Sequence, residues 1–227
     1  MKILLILFVF ISSLYAQQYK AVNVKGEVKY QSGTSEEWID LKEGATVSGD
    51  DFVSTGKKSS VKLVSSNNSV ILNELSALSV GSIKKMSTDE LLLALAMEDM
   101  INAPKTNGKS ISNSTATYGN KEDDRIVKAS PDNFGIMRLN GAEELAKSGL
   151  KESSVVFAKE TYRKYPDTKK FASYRIFFAD ILYEKGLYEE ALGEYFEIQK
   201  LELTKEEKTE VESRVNAINK ILLNSEK

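Results

Sequence analysis

Neighbouring pairs of acidic residues are the first groups in this sequence that could do chemistry. Two adjacent carboxylates can hold Ca²⁺ or share the roles of general acid and general base. The residues around them lack the alternating oxygen ligands of a calcium loop, and helix starts or exposed surfaces account for most of them. We therefore predict no catalytic or metal residues here. The pairs include Asp50/Asp51, Asp89/Glu90, Glu98/Asp99, Asp123/Asp124 and Glu189/Glu190.

The absence of cysteine and histidine removes most other catalytic chemistry. It excludes disulfides, thiolate and imidazole metal ligands, cysteine nucleophiles and histidine acid–base catalysis. No Walker loop, dinucleotide fingerprint or serine hydrolase motif occurs. Carboxylate chemistry and serine–lysine dyads remain open. We expect a protein that is not an enzyme and that needs no cofactor.

The charge balance argues against nucleic acid as a partner. Lys and Arg total 31 and Asp and Glu total 33, so the formal net charge is −2. No sustained basic stripe is present, although binding to a phosphate backbone requires one. At 227 residues the chain can form one large domain or two small ones.

Residues 1–16 have the pattern of a secretory signal peptide. Lys2 precedes an apolar run over 3–11, and Ala16 supplies the small residue before a cut at Gln17. The alternative is an uncleaved anchor, but this run is shorter than the roughly 20 residues of a spanning helix. We expect export across the inner membrane to the periplasm or envelope, with no transmembrane segment after cleavage.

Period-two alternation then predicts a small all-β unit. Val, Ile and Leu alternate with polar residues, and glycines separate the short runs. The spacing favours a sandwich, a roll or a short solenoid. The predicted strands are 19–24, 27–31, 38–41, 51–54, 60–65, 69–73 and 77–80.

A helix is predicted next, from a capping box formed by Ser87 and Glu90 up to Pro104. Its apolar residues cover most of its circumference, which favours a buried helix that closes the β unit. The alternative is an exposed, Met-rich helix that docks a partner. We assign 19–102 to the β domain with this closing helix, and 103–133 to a polar linker.

The remainder, 134–227, is predicted to be an all-α domain. Short connections make consecutive helices antiparallel neighbours. A second capping box, Thr204 with Glu207, marks the start of the last helix. The predicted helices are 134–147, 151–164, 169–184, 188–201 and 205–223.

Residues 22–82 resemble a FecR-type domain, an all-β unit of exported bacterial proteins. The most specific piece runs from Gly49-Asp50 to Thr55-Gly56, and Asn67-Asn68-Ser69 replaces the family's usual Asp-Gly-Ser turn. The cytoplasmic anti-sigma segment and transmembrane helix of the family's regulators have no counterpart here. The resemblance therefore implies a periplasmic structural or recognition role. It also includes Gly26-Glu27-Val28, Trp38, Leu41, Gly44, Ser60 to Leu63, Ser69 to Leu72, Ser76, Leu78 and Val80.

Residues 138–203 resemble two tetratricopeptide repeats, with the helix from Lys205 as a terminal cap. Gly149 and Gly186 lie 37 residues apart, against a usual period of about 34. The second repeat matches at Ala179, Leu182, Gly186, Tyr188, Ala191 and Tyr195, and the first at Gly149 and Tyr165-Pro166-Asp167. Such repeats present a concave face built from their first helices. On it, the resemblance implies Tyr174, Arg175 and Tyr183 as a candidate protein-binding surface.

These expectations together describe an exported envelope adaptor or scaffold that binds other proteins through FecR-like and tetratricopeptide-like modules. The alternatives are a cell-wall or glycan-binding module, in which the β domain reads the glycan, and a periplasmic regulatory sensor. Trp38 could stack on a sugar, but we favour a core or edge position for it.

Overall fold

The computed structural model describes residues 18–33, 35, 37–102 and 131–225. The predicted signal peptide, 1–16, and residues 103–130 of the predicted linker lie outside the described residues. Within the described part, no helix is long and apolar enough to cross a membrane.

The N-terminal part forms two four-stranded antiparallel sheets, as the period-two alternation predicted. One sheet has the order β4-β1-β6-β7 and the other β3-β2-β5-β8. Seven of the eight strands were predicted, and β4 was not. The strands are β1 (Gln18–Lys25), β2 (Val28–Gln31), β3 (Trp38–Asp40), β4 (Thr46–Ser48), β5 (Phe52–Thr55), β6 (Ser60–Val64), β7 (Ser69–Leu72) and β8 (Ala77–Ser79).

Both sheets bury one face in a common hydrophobic core. In β6, Val61 and Leu63 are buried while their neighbours are half-buried, so alternate side chains point inward. Val53 and Leu78 of the other sheet belong to the same cluster of buried residues. Among the alternatives left open by the sequence, this arrangement is a sandwich.

Six α-helices are described. Both predicted capping boxes form: the Ser87 amide donates to Glu90 Oε2 at 2.7 Å, and the Thr204 amide to Glu207 Oε2 at 2.9 Å. Short 3₁₀ turns occupy Val80–Ser82 and Pro166–Lys170. The helices are α1 (Thr88–Asn102), α2 (Pro131–Lys147), α3 (Lys151–Lys164), α4 (Ala172–Glu184), α5 (Tyr188–Ile198) and α6 (Lys205–Ser225).

Helix α2 joins the helices to the sandwich, because it lies directly on β8 and β7. A Cβ at Gly141 would sit 2.2 Å from the carbonyl oxygen of Ala77, so only glycine permits this approach. The Asn140 side chain donates to the Leu75 carbonyl at 2.7 Å. Buried residues of strands and helices consequently form one continuous core. The helix also begins at Pro131, three residues inside the predicted linker.

Helix α1 packs chiefly on α3, which differs from the expected closing of the β domain. Leu91 and Leu95 are buried on the side that faces the protein. Arg163 of α3 donates to Glu98 Oε2 at 2.9 Å. The outer side of α1 is exposed, so the expectation of a helix buried on several sides is wrong.

Arg138 of α2 is buried where sandwich and helices meet. Its guanidinium lies 4.4 Å from the ring centre of Phe157 and 5.1 Å from that of Phe52. Burial lowers the pKa of Arg138, and the ion pair with Glu160, 3.5 Å away, acts in the opposite direction. The Arg138 guanidinium therefore links α2 to β5 and α3 through its contacts with the two rings.

Candidate functional site

A groove of about 530 Å³ opens between α1, α3, α4 and α5. Helix α3 forms its centre, since α1 packs on one side of α3 and α4 on another. Both acidic and basic side chains face the space. The lining residues are Leu95, Glu98, Asp99, Lys159, Tyr162, Arg163, Lys169, Arg175, Leu182, Glu190, Gly193, Glu194 and Glu197.

Glu194 is the centre of an ionic network in this groove. It accepts a hydrogen bond from Lys159 Nζ and another from Arg175 Nη2, the latter at 3.1 Å. Burial by itself would raise the pKa of Glu194, but the two cations outweigh it and hold the pKa below its ordinary value. A carboxylate with a lowered pKa stays ionised at neutral pH, which suits binding and not proton donation.

Tyr162 lines the groove beside this network. Its side chain is 5% exposed, and its hydroxyl finds no hydrogen-bond partner among the described residues. Burial raises the pKa of Tyr162, with a further contribution from the charge of Glu194. The hydroxyl is therefore a neutral donor just beneath the surface of the groove, and an acceptor could reach it after a small shift of the side chains that cover it.

The second wall of the groove comes from α1. Glu98 is held by Arg163, whereas Asp99 is exposed at the rim. Glu190 and Glu197 contribute further acidic groups from α5, and the side chain of Glu197 accepts a hydrogen bond from Lys200. The groove thus offers paired charges in its interior and acidic groups at its edge.

Of the three residues suggested by the repeat pattern, only Arg175 lines this groove. The Tyr174 hydroxyl donates to Asn140 Oδ1 of α2. Tyr183 packs against Tyr188, and the Arg214 guanidinium lies 5.1 Å from its ring centre. All three side chains are half-buried, and they do not share one surface.

The repeat resemblance implied a surface on the first helix of each repeat, whereas the groove is lined by residues of α1, α3, α4 and α5. Helix α2 contributes none of the lining residues and packs on β7 and β8. Sequence reasoning missed Lys159, Tyr162 and Glu194, although Lys159 and Glu194 are 35 positions apart, close to one repeat length.

A second cavity, of about 370 Å³, lies between the sandwich and the start of α2. Trp38 and Phe134 line it, and the Trp38 indole nitrogen has no hydrogen-bond partner within the described ranges. Trp38 is half-buried and meets Phe52 and Phe134 edge to face, at ring-centre distances of 6.4 and 6.2 Å. No group of three or more acidic residues suited to a metal ion occurs in the described part.

No protein-family model matches the sequence, and neither a curated protein nor a solved structure has significant similarity to the chain. The FecR-type and tetratricopeptide resemblances therefore rest on the residues quoted above.

Proposed function

We propose that this chain is an exported, non-enzymatic adaptor that binds a segment of a protein of the cell envelope in the groove between α1, α3, α4 and α5. In this proposal the sandwich is a FecR-like domain and helices α2 to α5 are two tetratricopeptide-like repeats. Helix α6 is their terminal cap.

Contacts one repeat length apart support the repeat assignment. Tyr174 of α4 bonds to Asn140 of α2, 34 positions earlier, and Arg214 of α6 bonds to Asp180 of α4, again 34 positions earlier. Such offsets are expected when equivalent helices of a repeat of about 34 residues lie side by side. The helices α2, α4 and α6 then occupy equivalent places in successive units.

The observation that carries the binding proposal is the buried Tyr162 hydroxyl at the groove. A buried donor without a partner costs about 1–3 kcal/mol. After a small shift of the side chains that cover the hydroxyl, a backbone carbonyl of a bound segment could accept its hydrogen bond, while Arg175 and Lys159 hold Glu194 beside it. The unfavourable free energy of the unpartnered hydroxyl in the free protein would then be removed on binding.

The experiment uses the purified chain from Gln17 onward, immobilised and exposed to a solubilised envelope fraction. We expect a specific protein to be retained, and Tyr162→Phe to weaken its binding about tenfold, as the loss of one buried hydrogen bond would. Arg175→Ala should weaken it as well, because the network around Glu194 loses a cation.

The matched control is Tyr188→Phe, the same change at a half-buried ring outside the groove lining. It should bind like the unchanged protein. Tyr162→Phe should not lower the melting temperature, since it removes only an unpartnered hydroxyl. Retention of no specific protein, or equal binding by all variants, would refute the proposed function.

A glycan-binding function is the second candidate, because Trp38 lines the second cavity and its buried indole nitrogen has no partner in the described part. An indole that stacks on a sugar and also donates a hydrogen bond is suited to such a ligand. Sedimentation with purified peptidoglycan separates the two candidates. Co-sedimentation that Trp38→Phe abolishes would favour the glycan.

A further inference from the structure

Helix α1 presents an apolar stripe to solvent. Leu93 is 64% exposed, Met97 55%, Met100 78% and Ile101 60%. Four of the eight large exposed hydrophobic residues in the described part thus belong to one helix of 15 residues. A concentration of this kind marks an interaction surface, because single exposed apolar residues are normally scattered.

The stripe lies opposite the side by which α1 is attached. With 3.6 residues per turn, Leu93, Met97 and Met100 fall on one side, while the buried Leu91 and Leu95 fall on the other. An ordinary surface helix needs only the buried residues, Leu91 and Leu95. Packing among the described residues does not explain why Leu93, Met97 and Met100 are apolar.

The charges on α1 indicate the chemistry of its partner. All four charged residues of the helix are acidic, and Arg163 neutralises only Glu98. Asp89 and Glu90 are exposed beside the stripe, whereas Asp99 is exposed at the rim of the groove. Two copies of α1 placed face to face would bring acidic groups together, and an anionic lipid surface would repel them.

We propose that the outer face of α1 binds an amphipathic helix of a partner protein that carries Lys or Arg on both sides of its apolar stripe. Methionine side chains adapt readily to such a helix, and basic flanks complement Asp89 and Glu90. The inference rests on the proposed function as an adaptor and adds a second surface, separate from the groove at Tyr162.

The test uses a fluorescent peptide of about 18 residues in which Leu and Lys alternate with helical periodicity. Its binding to the chain from Gln17 onward is followed by anisotropy. A counterpart with Glu in place of Lys should bind at least about tenfold more weakly. The double variant Leu93→Gln, Met100→Gln should lose at least about tenfold in affinity. The control Leu223→Gln, at a residue that is 66% exposed on α6, should change nothing.

A second variant tests the charges. Asp89→Asn with Glu90→Gln, which keeps the side-chain oxygen of the capping box, should weaken the Leu/Lys peptide severalfold and reduce the dependence of binding on salt. Equal binding of both peptides, or no effect of the Leu93 and Met100 double variant, would overturn the proposal. So would a dimer in sedimentation equilibrium that the double variant abolishes, or stronger binding to phosphatidylglycerol vesicles. Tyr162→Phe should leave peptide binding intact, so this inference and the groove fail separately.

Discussion

The contact between α2 and β8 gives a prediction whose sign can be derived from the structure. Gly141→Ala would place a Cβ 2.2 Å from the carbonyl oxygen of Ala77 and 2.9 Å from its carbonyl carbon. Both are backbone atoms of a strand that is paired with β5. No side-chain rotation can relieve the overlap, so the helix must move away from the sheet.

Two opposing effects determine how much Gly141→Ala changes the free energy of unfolding. Alanine is about 1 kcal/mol better than glycine inside a helix. Ordinary contact distances begin near 3.5 Å, so α2 would have to shift by about 1 Å, and overpacking of this kind costs about 3 kcal/mol. The net loss in the free energy of unfolding is then about 2 kcal/mol. For a chain of this size it lowers the melting temperature by about 4–8 °C.

Urea and thermal unfolding followed by circular dichroism measure this change. Gly193→Ala is the matched control, because it lies within α5 and its Cβ would meet nothing within 4 Å. It should stabilise the protein by up to about 1 kcal/mol. If Gly141→Ala stabilised the protein to the same extent, α2 would not lie against β8, and the common core of strands and helices would be wrong.

Two further predictions concern the helical part. Ala191→Leu should lower the free energy of unfolding by about 1–3 kcal/mol, because Ala191 is fully buried in α5; an unchanged urea midpoint would contradict the packing. Glu194→Gln should lower the free energy of unfolding most at neutral pH. The pKa of Glu194 lies below its ordinary value of 4.5, so its stabilisation is complete above that value and disappears as the pH falls through the folded pKa. Urea midpoints of variant and parent should therefore approach each other as the pH falls below 4.5, and a constant difference would contradict the network.

The local elements were largely predictable, because their signals are local. Alternation located seven strands, and the capping boxes at Ser87 and Thr204 form as predicted. The missed strand, β4, spans Thr46–Ser48 and contains one buried apolar residue, Val47, so it has no alternation to detect. The predicted start of α4 was also early, because Pro166 begins a 3₁₀ turn before the helix.

The candidate site was predicted only in part, because it depends on contacts between distant residues. Arg175 was named from the repeat pattern, and it does line the groove. Tyr162 gave no signal, since a tyrosine in a helix normally packs in the core and its unpartnered hydroxyl appears only in three dimensions. Gly141 likewise resembled an ordinary small residue of a helix, although it permits the approach of α2 to β8.

The position of the groove follows from which elements the helices α1 and α2 pack on. Helix α1 follows the strands in sequence but packs on α3, and α2 begins the helical part but packs on β8 and β7 as well as on α3. The strands β7 and β8 therefore cover part of α2, which contributes no residue to the groove. Helices α3, α4 and α5 line the groove, and α1 adds a further wall. A fragment that contained only the strands or only the helices would expose one of these packed faces, so we expect the binding proposed at the groove to require the whole chain.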